Sequence, residues 1–248
     1  MPKVQALNPV KPRAIRKKTP SAGGKTLEIK NANQKESIYE ILLHRIINTD
    51  YKPGQLLNER ELCKEFNTSR TPIREVMIQL SHAGYVEIKP KVGTYVSPVN
   101  ATALKYIFEV KVPLEGIVAE LAAYRITSEE LEQLERVFQR IETCPKEGFA
   151  VSSYDYHELD QEFHKICREA TRNAFLIKYL DELMLKTMRF LHYIHYDPKE
   201  LEWYTDTLRD LLEGIKNRDG ERAKTAAILH NTTFIKKLSE FFFGQGLA

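Results

Sequence analysis

The chain has 248 residues, of which 42% are apolar and 29% charged, a composition that excludes collagen-like and wholly disordered proteins. No apolar run approaches the roughly 18 residues of a transmembrane helix, and no apolar stretch follows the basic N-terminus as in a secretory signal. The three cysteines are odd in number, far apart and without CxxC spacing. We therefore expect a cytoplasmic protein with neither a disulfide framework nor a zinc ribbon, and with no membrane partner.

Charge is distributed unevenly along the chain. Residues 1–35 contain nine Lys or Arg and one acidic residue, whereas residues 36–100 contain eight of each sign. Residues 101–248 contain 20 basic and 25 acidic residues. The first 35 residues also hold four prolines and few large apolar side chains, a composition typical of disorder. They are predicted to form a disordered basic arm, which is either a solvated leader or a clamp on nucleic-acid phosphates.

Residues 36–99 predict three helices followed by a β-hairpin. Apolar residues near helical spacing follow Ser37, which we expect to cap the first helix. Asn58 precedes the short helix ERELCKEF, and Ser69 precedes the helix RTPIREVMIQLSHAG, each as a predicted cap. Two runs of alternating β-forming residues then flank a basic tip that contains Gly93. This order is typical of a winged helix-turn-helix.

The third predicted helix begins with residues that suit DNA. Arginine presents a planar fork that can bond O6 and N7 of guanine together, and hydroxyls at a helix N-terminus suit phosphate oxygens. Alternatively, Arg70 and Arg74 pair with Glu75 or Glu59 on a solvated surface. The order of elements together with the basic hairpin favours DNA binding. The candidate contacts are Arg60, Ser69, Arg70, Thr71 and Arg74.

The segment from Pro53 to Val96 resembles the DNA-binding domain of the GntR family of bacterial transcription regulators. The family pattern is approximately PG..L.E..LA..lgvSRtPvReAl..L...Glv....g.G..V, and the match runs almost without gaps. Val76 and Met77 stand where the family usually has Ala and Leu, an exchange among apolar packing residues. The resemblance implies a DNA contact set of Arg60, Ser69, Arg70, Thr71, Arg74 and, through close approach of the wing to the minor groove, Gly93.

Residues 100–248 predict an all-α antiparallel bundle, because glycine and proline are sparse and no alternating strand pattern occurs. The predicted helices are roughly 101–126, 128–142, 152–171, 173–195, 200–218 and 220–242. The chain as a whole is therefore predicted to be mainly α, with a winged helix-turn-helix ahead of a helical bundle. Ligand pockets of such bundles lie between helices, and the aromatic residues of this segment could line one, although such residues more often belong to a core or an interface.

Asp160 and His164 are four residues apart on one predicted helix, so both side chains lie on the same side. A carboxylate and an imidazole at this spacing suit a divalent metal, and His230 on the last helix could approach from across the bundle. The spacing is equally compatible with a surface ion pair or a capping interaction. An enzymatic alternative is a metal-dependent hydrolase that uses these three residues and a bound water. Against it, the sequence has neither a nucleophile motif nor a phosphate loop.

The helical segment resembles the FCD effector domain of the FadR-type GntR regulators. LDQEFHKICREATRNAFL follows the pattern D..FH..i....N..l, and LRDLLEGIKNRDGERAKTAAILH follows H..il.ai..gD...A......H except at its first position. In many members an Asp and three His bind zinc, nickel or manganese beside a small carboxylate effector. The resemblance implies that Asp160, His164 and His230 are three of the four ligands. Leu208 stands where the family has the remaining His.

Leu208 leaves three outcomes open, because leucine cannot ligate a metal. Three ligands could hold the ion, with water or an effector carboxylate completing the coordination. His192 or His195 could supply the fourth ligand. The metal could also be lost, leaving an apolar effector pocket as in the fatty-acyl-responsive branch of this family. Lys111 stands where the family often has Arg and is a candidate for gripping a carboxylate.

The sequence therefore predicts a ligand-responsive DNA-binding transcription regulator and not an enzyme. A dimer of the helical segment would place two winged modules on a palindromic operator. A small effector, such as an organic acid, would change DNA affinity by preferring one arrangement of the dimer. RNA binding is a weaker alternative, since the winged segment lacks a stacking platform of exposed aromatic residues.

Overall fold

The computed structural model describes residues 32–143, 153–196 and 202–244, so most of the predicted basic arm lies outside the described residues. The described chain is mainly helical with three short strands, which confirms the predicted fold class. We refer to residues 32–97 as the winged module and to the described residues from 101 to 244 as the helical body. The elements are α1 (Ala32–Ile47), β1 (Leu56–Leu57), α2 (Glu59–Glu65), α3 (Arg70–His82), β2 (Val86–Lys89), β3 (Gly93–Val96), α4 (Ala101–Arg125), α5 (Ser128–Thr143), α6 (Ser153–Ala170), α7 (Ala174–Tyr193), α8 (Glu202–Lys216) and α9 (Gly220–Gly244).

The winged module closes one apolar core between its three helices and a small sheet. The sheet has the order β1-β3-β2, and β2 and β3 form the predicted antiparallel hairpin, with Val86 opposite Val96. The additional strand β1 pairs with β3, with Leu57 opposite Thr94. The sequence analysis missed β1 because two residues are too few to display the alternation that indicates a strand.

The helix starts of the winged module follow the predictions only in part. α1 begins at Ala32, so Ser37 lies inside the helix and its prediction as a cap is wrong. Ala, Gln, Lys and Glu before Ser37 are good helix formers and extend the helix towards the N-terminus. Asn58 caps α2 as predicted, since its side-chain oxygen accepts the backbone N–H of Arg60 at 3.0 Å. Ser69 holds the N-cap position of α3 with an extended backbone, but its side chain makes no capping hydrogen bond.

The helical body is organised around α4, which packs against α6, α7, α8 and α9. Its core is lined by fully buried side chains such as Leu134, Phe163 and Leu211. Each predicted helix begins and ends within two residues of the observed one. No helix within the described ranges is long and apolar enough to cross a membrane.

Helix α7 lies at the junction between the two parts of the chain. It packs against α1 of the winged module and against α4 and α6 of the helical body. The side chain of Met188 contacts the apolar cores on both sides of this junction. α7 therefore connects the body to the module through packing, in addition to the covalent link between β3 and α4.

Candidate functional site

The first turns of α3 present the predicted DNA contacts to solvent. Ser69, Arg70, Thr71 and Arg74 are exposed, whereas Ile73 is fully buried in the module core. This separation follows from the helical period, which turns residues three or four apart to one face. Because the hydroxyl of Ser69 makes no capping bond, it can meet a phosphate oxygen together with the free backbone N–H groups of the helix end.

Arg74 forms an ion pair with Glu59 of α2, with 3.0 Å between Nε and Oε2. The surface pairing considered in the sequence analysis therefore occurs at Arg74. The two side chains are 60% and 31% exposed, and ion pairs in such surroundings contribute at most about 1 kcal/mol. Arg74 can thus exchange Glu59 for DNA at small cost. Arg60 and Arg70 form no ion pair with any residue that the structure describes.

The wing has a basic tip whose backbone depends on Gly93. Lys89 and Lys91 are exposed at this tip. Gly93 has a φ of +151°, a conformation that favours glycine, and a Cβ there would lie 2.7 Å from Cδ1 of Leu56. Gly93 is therefore favoured by its backbone conformation, whereas the half-exposed side chain of Leu56 can move away from a Cβ at this position.

Asp160, His164 and His230 come together inside the helical body. α6 carries Asp160 and His164 one turn apart, and α9 brings His230 to them from the other end of the sequence. One ligand atom from each of the three side chains lies within 4.8 Å of the other two. His164 Nε2 is 3.3 Å from Asp160 Oδ1, and the two imidazole centroids are 5.2 Å apart. All three side chains are buried, so we refer to them as the buried cluster.

Thr207 of α8 fixes the tautomer of His230. Its hydroxyl donates to the carbonyl oxygen of Tyr204 at 3.0 Å and lies 2.8 Å from Nδ1 of His230. Since a hydroxyl has a single hydrogen, we assign Nδ1–H of His230 as the donor of the second bond. Nε2 of His230 then carries no proton and can bind a metal. No sequence pattern pointed to Thr207, because it meets His230 only through the packing of α8 on α9.

The surroundings of His230 keep its imidazole neutral. Burial, and then the charge of His164, lower the pKa of His230 to about 3. Tyr204 packs edge-on against the imidazole, with the ring centroids 4.5 Å apart. A neutral imidazole is the form that ligates metals, so His230 is ready to do so near neutral pH.

A buried ion pair of α4 lies beside this cluster. Lys111 Nζ is 3.3 Å from Glu115 Oε1 and donates to Oδ1 of Asn231 at 2.9 Å. Burial by itself raises the pKa of Glu115, but the charges of Lys111, His164 and Arg168 together outweigh burial and lower it. Glu115 therefore stays ionised. Lys111, the predicted grip for a carboxylate, already has two partners inside the protein.

Arg168 is a buried guanidinium two turns after Asp160 on α6. The side chain of Arg168 is 5% exposed, and its Nε lies 3.2 Å from Oδ1 of Asp181. Nη1 is buried and makes no hydrogen bond to any described residue. A buried charged donor without an acceptor is costly, so Arg168 suits an anionic group that these residues do not supply. The sequence analysis did not single out Arg168.

No fourth histidine joins the buried cluster within the described residues. Leu208 is fully buried in the core of the body. His192 Nδ1 lies 3.0 Å from the carbonyl oxygen of Ile47 at the junction with the winged module, and His195 lines a surface pocket at the same place. The idea that His192 or His195 replaces the missing ligand is therefore not supported by the structure.

An exposed recognition helix and a basic wing, joined to a helical body with a buried carboxylate–histidine cluster, define a ligand-responsive DNA-binding transcription regulator. Comparison with protein families agrees with this class. Residues 34–96 match the gntR family of bacterial regulatory proteins, and residues 106–233 match the FCD domain. The FCD match alone spans more than half of the 248 residues. The chain belongs to the GntR family of regulators that carry an FCD domain.

Individual relatives and structures support the same assignment. The chain is 29% identical over 202 residues to the HTH-type transcriptional repressor RspR of Escherichia coli (strain K12), covering 79% of this chain and 84% of that one. It is 27% identical over 218 residues to the HTH-type transcriptional regulator LutR of Bacillus subtilis (strain 168), covering 79% and 97%. The solved structure of E. coli McbR/YncC covers 84% of this chain and 98% of its own, with a TM-score of 0.69 at 20% identity, and supports the fold. These relatives do not support the hydrolase alternative.

Proposed function

We propose that the regulator contacts its operator with the first turns of α2 and α3 and with the tip of the wing. The exposure of the arginines and the weak pairing of Arg74 support this assignment. The predicted basic arm, residues 1–35, would add contacts to phosphates that do not depend on sequence. Because bacterial DNA lies in the cytoplasm, the protein would act there. The proposed contacts are Arg60, Ser69, Arg70, Thr71, Arg74 and Gly93.

We also propose that Asp160, His164 and His230 hold one divalent transition metal per chain, such as zinc, nickel or manganese. The mutual distances within 4.8 Å in a buried cluster carry this proposal. The donor set fits, since one carboxylate and two imidazoles suit these ions and the unprotonated Nε2 of His230 is available. Three protein ligands would leave open coordination positions at such a metal, which could be occupied by water or an effector oxygen.

The effector that fits these surroundings is a small organic acid. The guanidinium of Arg168 has a buried N–H group that bonds to none of the described residues, and a carboxylate is the acceptor that matches it best. An anion would also be attracted by a divalent metal, which carries more positive charge than Asp160 neutralises. In this proposal the metal binds and orients the effector, and the protein carries out no catalytic step.

We propose that two chains associate through α4. Large apolar side chains along one side of this helix are exposed by 39% to 60%, whereas Leu104, Phe108 and Val118 of the same helix are buried. Contiguous exposed apolar surface marks sites of association, and a two-fold axis would bring the same stripe of both chains together. The dimer would present two winged modules to a palindromic operator. The stripe consists of Tyr106, Val110, Ile117 and Tyr124.

The metal and the dimer can be tested in one sample. Protein purified without chelator is analysed by elemental and native mass spectrometry, and we expect a dimer with one transition metal per chain. His164→Ala should lose the metal.

Thr207→Val should keep the ligands but bind the metal about 10–100-fold more weakly, because the tautomer of His230 is no longer fixed. In the control Thr232→Val, the lost hydroxyl bonds only to its own helix backbone, so affinity should not change. A metal-free wild-type protein would refute the metal site and leave the DNA contacts untouched.

A further inference from the structure

Three basic side chains of α7 each bind a backbone carbonyl of the winged module. They are spaced three residues apart, so they follow one another along one side of the helix. Each contact crosses the junction between the helical body and the module. The pairs are Lys186 Nζ with Ala83 O at 2.9 Å, Arg189 Nη2 with Ser97 O, and His192 Nδ1 with Ile47 O at 3.0 Å.

The three acceptors lie where three elements of the winged module end. Ile47 is the last residue of α1, Ala83 follows α3, and Ser97 follows β3. Carbonyl groups at the end of a helix lack partners within it and carry the negative end of its dipole, so they suit cationic donors. These contacts hold the first helix, the recognition helix and the wing at the same time. They therefore fix the orientation of the whole module.

Burial of the Arg189 guanidinium opposes the docked arrangement. Arg189 is 7% exposed, and its Cζ lies 6.0 Å from the ring centroid of Tyr85. The Nζ of Lys186 lies over the same ring, 5.3 Å from the centroid. Burial lowers the pKa of Arg189. Docking therefore desolvates this cation, and its partners among the described residues are the carbonyl of Ser97 and the ring of Tyr85. A small free-energy difference between docked and separated states is what a switch requires.

α7 also contacts the helix that carries two residues of the buried cluster. Gln161, the neighbour of Asp160 on α6, has its Nε2 3.4 Å from Sδ of Met184 and 3.9 Å from Sδ of Met188. Met188 in turn packs against the core of the winged module. Through these contacts a displacement of α6 would be passed to α7, and from α7 to the module.

We propose that α7 acts as a clamp, formed by Lys186, Arg189 and His192, that holds the winged module in one orientation and couples it to α6. In a dimer, this clamp would fix the separation of the two recognition helices and so the half-site spacing that is bound. An effector would change that spacing by binding the clamped and released states with different affinity. The statement on spacing rests on the proposed dimer, whereas the clamp itself does not.

The clamp is tested first without DNA on the full chain. The clamp variant combines Lys186→Met, Arg189→Met and His192→Phe. The matched control is Lys178→Met, because Lys178 lies on the same helix but its ammonium stacks over Tyr179 of α7 itself. In small-angle X-ray scattering, we expect a larger radius of gyration for the clamp variant and superimposable curves for control and wild type. If the combined variant does not fold by circular dichroism, Lys186→Met alone is measured. Identical scattering of wild type and folded variant overturns the clamp.

A second measurement tests the coupling to DNA. Wild-type protein selects a site from a random DNA pool, and the site is then altered by inserting one to three base pairs between its half-sites. The preference is the ratio of the affinities for the original and the altered spacing. We expect this ratio to be about tenfold smaller for the clamp variant, because a charge-assisted hydrogen bond contributes roughly this factor. Unchanged preference would overturn the role of α7 in DNA binding. A wild-type protein that is monomeric by native mass would overturn the dimer but leave the scattering result intact.

Discussion

The winged module and the helical body hold their functional side chains in opposite surroundings. In the module, the proposed contacts at Ser69 to Arg74 are exposed and adjacent in sequence. In the body, Asp160, His164 and His230 are buried and come from two helices far apart in the chain. The module binds a partner larger than itself, so its side chains can remain in water until they meet DNA. The body would enclose a small effector, and its charged side chains at that place are already held away from water.

This difference determines how much each ion pair affects the free energy of unfolding. A surface ion pair is screened by water and contributes little. A buried pair has lost its hydration, so each partner depends on the other. The pairs Arg45–Glu65 in the module and Lys111–Glu115 in the body represent these two cases, with side chains 30% and 42% exposed in the first and 7% and 3% in the second.

The largest effect is expected when one partner of the buried pair is removed. Lys111→Met leaves Glu115 ionised in the core, and we expect a loss of about 3–5 kcal/mol in the free energy of unfolding. Arg45→Met in the module breaks the exposed pair and also the hydrogen bond of Arg45 to the Tyr51 hydroxyl, and should cost less, about 1–2 kcal/mol. Urea denaturation measures both variants. The double variant Lys111→Met with Glu115→Leu should recover most of the loss, and equal losses for Lys111→Met and Arg45→Met would contradict the contrast between the two regions.

A smaller effect, which concerns DNA binding and not stability, is expected for a variant of the winged module. Arg70→Ala removes a proposed fork to a guanine edge, which is worth about 1–3 kcal/mol of discrimination between bases. Stability and metal content should not change, because Arg70 is exposed and forms no ion pair with the described residues. Binding to the selected site and to scrambled DNA is compared at one salt concentration, with Arg136→Ala on the surface of the body as control. If Arg70→Ala retained the full preference for the selected site, Arg70 would not be a base contact.

The two regions also differ in how much of each could be predicted from sequence. The helices of the body and the order of the winged module follow from hydrophobic periodicity and turn residues, which are local. The pairing of Asp160 with His164 is local as well, since both lie on one helix. The contacts of Thr207 and Glu115 are not, because they meet the buried cluster only after α4, α6, α8 and α9 have packed.

The clamp of α7 illustrates a further limit of sequence analysis. Lys186, Arg189 and His192 are regularly spaced, but their partners are backbone carbonyls, which every residue carries. The side chains of the winged module therefore give no indication of where these contacts form. Strand β1 and the early start of α1 were missed for related reasons. A two-residue strand has no period, and helix-forming residues before Ser37 extend α1 beyond the serine that suggested a cap.

The last expected effect is a dependence of stability on pH, which arises in the body and builds up gradually as the pH falls. The pKa of His230 is about 3 in the folded protein and 6.5 for the unperturbed group. As pH falls below 6.5, the unfolded chain gains a proton that the folded chain does not accept until about pH 3, so stability is fully present above this window and is lost within it. The slope is at most about 1.4 kcal/mol per pH unit for one group. Urea denaturation of chelator-treated protein at several pH values should show a shallower slope for His230→Leu than for wild type. The control Thr232→Val removes no titratable group and should leave the slope unchanged. The same result for His230→Leu would mean that His230 is not held neutral by burial.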